Sequence, residues 1–278
     1  RFKLVRGMEF HNGKTVTPKD VIASLNHHRG ENSTSGAKGL LLDVEDIVAD
    51  GDDTVVIKLK IGSADMPFLV TDYHLPIMPA DGEGNVDWKS GIGAGAYKIE
   101  SFQPGVTTEM TRHPNYHRAD QAFFDAVQLL SLNDPNARQT ALVSNVVDAV
   151  SEADIKTVAM LARTPGIEID ETPGGTHGGM PMNCRVAPFD NPDLRLALKY
   201  AIDREEIVQK ILLGHGIVAN DHPIAPVMPY AAKLEQRPYD PEKAKFHLQK
   251  SGLSNVSISL SAGDAAFPGS VEMGLLFR

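Results

Sequence analysis

The stretch NCRVAPFDNPDLRLALKYAID, residues 183–203, carries the clearest structural signals in the chain. Asn191, followed directly by proline, is a favourable start for a helix, and an apolar stripe at helical spacing begins at Leu194. Asp203 is the predicted N-cap of a second helix, which runs to Leu213 and is closed by a glycine. The stretch therefore predicts an extended segment followed by two consecutive helices.

The residues on either side alternate between helix and strand signals. Downstream, Asp240 opens a further helix that ends at Gly252, and Val256, Ile258 and Leu260 alternate as in a strand. Upstream, the predicted elements are the hairpin 97–102 and 107–112, strand 126–132, helix 135–143, strand 146–150, helix 153–161 and a strand at Ile167 and Ile169. This alternation predicts an α/β fold whose sheet has partly parallel order.

The first block, residues 1–90, has its own pattern. Thr17 followed by proline begins a predicted helix, and residues 44–47 and 54–59 read as a hairpin around a glycine turn. Asp20, at the third helical position, adds the acidic residue that the first turn favours.

Composition limits the class of protein. The chain has 278 residues, 42% hydrophobic and 23% charged, which suits a globular protein of two or more domains. The net charge is −9 and no polybasic run occurs, so nucleic acid is not an expected partner. No apolar run reaches the ~18 residues of a membrane span, so membrane insertion is not expected either.

The single cysteine, Cys184, excludes an internal disulfide and a zinc site built on several cysteines. Arg1 begins within a strand-like pattern, and the last residues stop within an apolar, helix-like one. We interpret both ends as cuts, so the lack of a signal peptide does not indicate a compartment.

The glycine-rich segment 91–96 offers two interpretations. A loop that cradles phosphate needs a helix after it, whereas the residues from Tyr97 onward alternate as in a strand. Gly93 and Gly95 therefore favour a hinge, and Gly178 and Gly179 mark a second hinge candidate.

Several motifs in order resemble family 5 of the bacterial solute-binding proteins, the receptors for peptides, opines and nickel. Residues 2–13, FKLVRGMEFHNG, resemble the family's FxLRxGVxFHDG, with Val5 where arginine is usual. The other matching segments are TPKDV at 17–21, GAGAY at 93–97, NY at 115–116 without the usual tryptophan, the stretch 183–203, and YDPEKA at 239–244. Each motif is weak alone, but their shared order across the chain is specific.

The resemblance implies a periplasmic-binding-protein type II-like bilobal fold with discontinuous domains, truncated at both ends. Residues 1–90 would form the extra domain of the first lobe, 91–175 its middle part, and 176–278 the start of the second lobe. The groups that hold ligand termini in peptide-binding relatives would lie largely in the absent distal part.

The implied function is an extracytoplasmic, periplasmic receptor that captures a peptide or another small solute and delivers it to the permease of an ABC importer. We expect a monomer without a cofactor or resident metal. Two alternatives stay open: a chaperone-like binding module on the same fold, and a hydrolase. Neither a G-x-S-x-G elbow nor an H-E-x-x-H helix occurs in the sequence.

Three segments are predicted to line the ligand cleft, because closure of two lobes requires contacts from both. They are Tyr73 and His74, then Ser151 and Glu152 after the predicted strand 146–150, and the segment that carries His177, Met180, Met182 and Asn183. The competing interpretations are a surface turn, a solvated helix start and a crossover strand with methionines in the core. The ten histidines are dispersed, and His27 and His28 diverge on a helix, so the sequence predicts no metal site.

Overall fold

A computed structural model of the chain describes residues 1–172, 174–229, 231–263, 266–267 and 269–277. The chain divides into two compact units, Arg1–Leu132 and Asn133–Arg278. The first unit contains both sheets, and within the described residues the second contains helices joined by irregular segments.

The first unit consists of two three-stranded sheets and short helices. The sheets have the strand orders β1-β3-β2 and β4-β5-β6, and every pairing in them is antiparallel. The elements are β1 (Phe2–Lys3), α1 (Pro18–His27), a 3-10 helix (Gly36–Leu41), β2 (Val44–Ala49), β3 (Thr54–Leu59), α2 (Met66–Leu69), β4 (Tyr97–Gln103), β5 (Thr107–Arg112) and β6 (Ala126–Leu130).

Asp20 fixes the start of α1. It is fully buried, and its carboxylate accepts hydrogen bonds from the Thr17 backbone N–H at 2.8 Å, the Thr17 hydroxyl at 2.6 Å and the Ala80 N–H at 2.8 Å. Lys14 Nζ donates to Asp20 Oδ1 at 2.6 Å, the oxygen that also accepts the Ala80 N–H. Burial alone would raise the pKa of Asp20, but the hydrogen bonds from Lys14, Thr17 and Ala80 outweigh it and the pKa lies below its ordinary value.

The core of the first unit lies between α1 and the first sheet. Side chains from α1, the 3-10 helix, β2, β3, α2 and the segment after it meet there. The buried members are Leu25, Ala37, Leu41, Val44, Ile47, Val55, Met66 and Leu75. The predicted helix and hairpin of this block are thus confirmed, because one apolar face of each packs into this core.

The described part of the second unit contains six helices, four of which begin at a side-chain cap. They are α3 (Pro135–Val143), α4 (Val158–Leu161), α5 (Pro192–Ala201), α6 (Arg204–Lys210), α7 (Pro241–Lys250) and α8 (Ser270–Leu276). The predicted caps Asp134, Asn191, Asp203 and Asp240 each accept a backbone N–H from the first turn of their helix. Helices α5 and α7 pack together, with the ring of His247 parallel to that of Tyr200 at 5.7 Å.

The predicted strand 146–150 is wrong, and the reason is local. Helix α3 ends in a turn where Asn145 takes a left-handed φ of 57° and the Ala141 carbonyl accepts the N–H groups of Val146 and Val147. Those N–H groups are therefore engaged by the helix end instead of a neighbouring strand. Val146 is 66% exposed, so the apolar run is not a buried strand.

Three further expectations for this unit are corrected. The predicted helix 153–161 begins only at Val158, because Asp154 forms a turn that accepts the N–H groups of Lys156 and Thr157. The runs at 167–169 and 256–260 are not strands. The partly parallel sheet is also absent from the residues that the structure describes, where all strand pairs are antiparallel.

Candidate functional site

Tyr73 and His74 are held at the surface by the residues around them. Leu75 is 4% exposed and anchors the chain in the core immediately after the pair. Asp72 Oδ1 accepts the His74 backbone N–H at 2.9 Å and lies 2.8 Å from His74 Nδ1. The Tyr73 ring lies against His74 with 3.8 Å between ring centroids, yet Tyr73 is 84% exposed. The pair thus presents a fixed imidazole and an accessible aromatic ring.

A pocket of about 280 Å³ opens beside this pair. It is lined by His27, His28, Tyr73, His74, Pro76, Met78 and Trp88. Pockets for drug-sized ligands measure roughly 300–1,000 Å³, so this one suits a single side chain or a group of similar size. Its aromatic faces can stack on such a group, and its imidazoles can exchange hydrogen bonds with it.

His28 forms the buried wall of the pocket. Its Nδ1 lies 2.6 Å from the Ser35 hydroxyl, which in turn accepts the Ala37 N–H. Burial lowers the pKa of His28 below its ordinary value, and the neighbouring His27 and His74 lower it further. His28 is therefore neutral at pH 7, and the pocket presents imidazole rather than imidazolium on that side.

The two histidines that α1 contributes to this pocket differ in ring orientation. The rings of His27 and His28 are nearly perpendicular with centroids 5.1 Å apart. Across the described part of the chain, no group of three or more His, Cys, Asp or Glu side chains is placed to hold a metal ion.

Ser151 and Glu152 are exposed residues in a bend and do not follow a strand. Glu152 has a left-handed φ of 57°, which is uncommon for a residue with a side chain. Ser151 and Glu152 therefore do not lie at the carboxyl end of a strand, and their contact with a ligand stays a prediction that depends on exposure and charge alone.

The segment that carries His177, Met180, Met182 and Asn183 has no regular secondary structure. Both methionines are half-buried, whereas His177 and Asn183 are exposed. Asn183 Oδ1 accepts the Arg185 N–H at 3.1 Å, which turns the chain toward α5. The methionines thus belong neither to a closed core nor to a fully solvated surface.

The predicted hinge glycines differ in their surroundings. A Cβ on Gly178 would lie 2.8 Å from the Phe267 ring, so a side chain there forces the ring to move. No atom approaches within 4 Å of a Cβ built on Gly95 or Gly179. The strand β4 directly after Gly95 confirms the strand prediction and excludes the phosphate-cradling alternative, which needs a helix there.

His11, which was not predicted as a site residue, also lies at this loop. Its ring bonds to the backbone of both Gly93 and Gly95. The sequence offered no local signal for this contact, because more than 80 residues separate the partners. Of the predicted ligand residues, the structure brings Tyr73 and His74 together, while the other two segments belong to the second unit.

Comparison with known proteins identifies relatives with similar sequence and fold. The chain is 24% identical to heme-binding protein A of Haemophilus influenzae, over 91% of this chain and 51% of that protein. It is 25% identical to the glutathione-binding protein GsiB of Pectobacterium atrosepticum, over 91% of this chain and 50% of that protein. The chain thus spans about half the length of these curated relatives.

A solved structure supports the fold. The periplasmic binding protein DppA of Helicobacter pylori, in complex with the peptide STSA, matches with a TM-score of 0.77 and 21% identity, over 90% of this chain and 54% of that one. This likeness confirms the predicted periplasmic-binding-protein type II-like fold class. The family model that describes the middle region of the bacterial extracellular solute-binding proteins, family 5, matches residues 1–271, and the chain belongs to that family.

Proposed function

We propose that the chain is part of an extracytoplasmic receptor that captures a small peptide or peptide-like solute and delivers it to the permease of an ABC importer. The observation that carries this proposal is the family match over residues 1–271. A periplasmic location, a monomeric state and the absence of catalysis belong to the same proposal. The domain boundaries implied by the resemblance, 1–90, 91–175 and 176–278, also remain proposals.

Two of the similar proteins favour a peptide-like ligand. One is named for glutathione, a peptide-like molecule, and the other was solved with a peptide. The pocket beside Tyr73 and His74 has room for one side chain, so it would hold part of a peptide while its ends are bound elsewhere. We include Ser151, Glu152, His177, Met180, Met182 and Asn183 in the proposed ligand surface, as exposed or half-buried residues of the second unit.

The described part of the chain is compatible with a receptor that works outside the bilayer. None of its helices combines the length and the apolar character that crossing a membrane would require.

Native mass spectrometry of the freshly purified full-length protein would test the proposal, because a closed cleft retains its solute. We expect a bound mass that corresponds to a short peptide or a peptide-like compound. Isothermal titration with glutathione, with a tetrapeptide such as STSA and with heme then separates the candidate classes. The same mixtures, followed by chromatography, should return each compound unchanged, whereas turnover would support the hydrolase alternative.

A further inference from the structure

His11, in the turn that begins at Phe10, bonds to the loop Gly93–Gly95. The His11 backbone N–H donates to the Gly93 carbonyl at 2.8 Å, and the Gly93 N–H lies 3.2 Å from His11 Nδ1. His11 Nε2 lies 3.1 Å from the Gly95 carbonyl oxygen. Phe10, immediately before, is fully buried and fixes the position from which His11 reaches the loop.

These partners select one form of the imidazole. The Gly93 N–H can only donate, so His11 Nδ1 must be the acceptor. The Gly95 carbonyl can only accept, so Nε2 must carry the proton. Both bonds exist together only in the neutral ring with its proton on Nε2, and a proton added to Nδ1 would face the Gly93 N–H and break that bond.

The surroundings disfavour the added proton. His113 is 5% exposed and its ring meets that of His11 edge-on at 5.2 Å, while Lys98 is the cation on the adjoining strand β4. Burial lowers the pKa of His11 below its ordinary value of 6.5, against an opposing effect of the hydrogen bond to the Gly95 carbonyl, and the neighbouring His113 and Lys98 lower it further. Neutral His11 is therefore the form present at pH 7.

We propose that His11 is a pH-sensitive latch, which holds the Gly93–Gly95 loop while its ring is neutral and releases the Gly93 N–H when the ring is protonated. Gly93, Gly95, Lys98 and His113 all lie in the same compact unit as His11, Arg1–Leu132. The proposal therefore does not depend on the proposed function or on the role of this loop as a hinge.

The latch can be tested by NMR on the protein labelled with nitrogen-15. Ring nitrogen shifts at about pH 7.5 should show His11 as the neutral form protonated on Nε2. Hydrogen exchange, expressed as a protection factor to correct for the pH dependence of intrinsic exchange, then follows the Gly93 N–H. We expect its protection to fall roughly two- to tenfold between about pH 7.5 and about pH 5, the equivalent of one ordinary hydrogen bond.

Three variants distinguish protonation of His11 from other effects of acid on the protection of the Gly93 N–H. In His11→Asn the amide oxygen can accept from the Gly93 N–H near the position of Nδ1 but does not titrate, so protection should stay constant with pH. In His11→Ala protection should be low at both pH values. His117 is exposed and outside these contacts, so His117→Ala should reproduce the wild-type pH profile.

Two results would overturn the proposal. One is a His11 ring that carries its proton on Nδ1 at about pH 7.5, which needs no variant to measure. The other is a folded His11→Asn protein, checked by circular dichroism, that loses Gly93 protection with pH as the wild type does.

Discussion

The two compact units bury apolar side chains to different degrees. In Arg1–Leu132, a continuous core joins α1 to the first sheet, and Leu25 and Val55 are 3% and 0% exposed. In Asn133–Arg278, α7 has no buried residue and exposes Phe246 and Leu248 at 58% and 41%. The first unit therefore gains more of its stability from hydrophobic burial.

The second unit contains a group of ion pairs around one carboxylate. Asp221 pairs with Lys199, Arg204 and Arg237, and its carboxylate lies 2.6 Å from Arg204 Nη2. Burial alone would raise the pKa of Asp221, but the hydrogen bond from Arg204 and the nearby cations outweigh it and the pKa is lowered. Such pairs position segments without adding much net free energy, since desolvation offsets most of the attraction. The difference between the units predicts different responses to mutation.

The largest expected effect is on the core of the first unit. Leu25→Ala should lower the free energy of unfolding by about 2–5 kcal/mol, because it leaves a cavity among closely packed neighbours. Leu248→Ala is the matched control on α7, and being 41% exposed it should cost less than about 1 kcal/mol. Urea unfolding followed by Trp88, the one tryptophan of the chain, reports on the first unit, and circular dichroism reports on both. If both variants lose the same free energy of unfolding, the two units do not differ in how much hydrophobic burial stabilises them.

Measurements of ligand affinity would show whether the second unit, which buries fewer apolar side chains, contributes to binding. Glu152→Gln in the full-length protein should weaken binding of a ligand that carries an amine by about 1.5–3 kcal/mol, as for a lost charge-assisted hydrogen bond. Glu168→Gln removes another exposed carboxylate of the same unit and serves as the control. Isothermal titration with the retained solute provides the measurement. If the two variants bind equally well, Glu152 is a solvated residue and binding does not depend on its charge.

A smaller effect is expected at the helix cap of α6. Asp203 Oδ1 accepts the Glu206 N–H at 2.9 Å, so Asp203→Ala should cost about 0.5–2 kcal/mol of stability with little change in ligand affinity. Asp203→Asn keeps an acceptor at the cap and should cost less. Thermal unfolding together with titration distinguishes the two roles. Weaker binding at unchanged stability would mean that Asp203 contacts the ligand instead of supporting the scaffold.

The predictions that depend on residues close together in the sequence were confirmed, whereas several that depend on pairing with distant residues were wrong. The caps Asp134, Asn191, Asp203 and Asp240 were all predicted, because a cap bonds to residues two or three positions away. The antiparallel hairpins were predicted for the same reason. The runs 146–150, 167–169 and 256–260 were not strands, because an apolar run becomes a strand only where a partner edge accepts it. Sequence periodicity does not report that edge.

The candidate site shows the same limit. Tyr73 and His74 were proposed as ligand residues from their place before a proline, and that role stays a prediction. The pocket walls contributed by His27, His28 and Trp88 depend on how α1 packs against the later segment. The contact of His11 with Gly93 and Gly95 likewise spans more than 80 residues of sequence. Neither arrangement has a local signature, so the structure was needed to find both.

The smallest effect concerns the pH dependence of the first unit through His28. Because the pKa of His28 is lowered in the folded state, the unfolded state binds protons more readily. Its contribution to stability is therefore complete above its ordinary pKa of 6.5 and decreases as the pH falls below that value. His28→Phe keeps a ring in the pocket wall but has no titrating group. Its free energy of unfolding should therefore fall less than that of the wild type between about pH 7.5 and about pH 5. The difference between the two proteins should be under ~1.4 kcal/mol, the equivalent of one pKa unit. His117→Phe, at an exposed histidine of the same unit that does not line this pocket, is the control, and chemical unfolding followed by Trp88 at each pH provides the measurement. A His28→Phe protein that loses as much stability on acidification as the wild type would show that the buried imidazole does not link protonation to the folding of this unit.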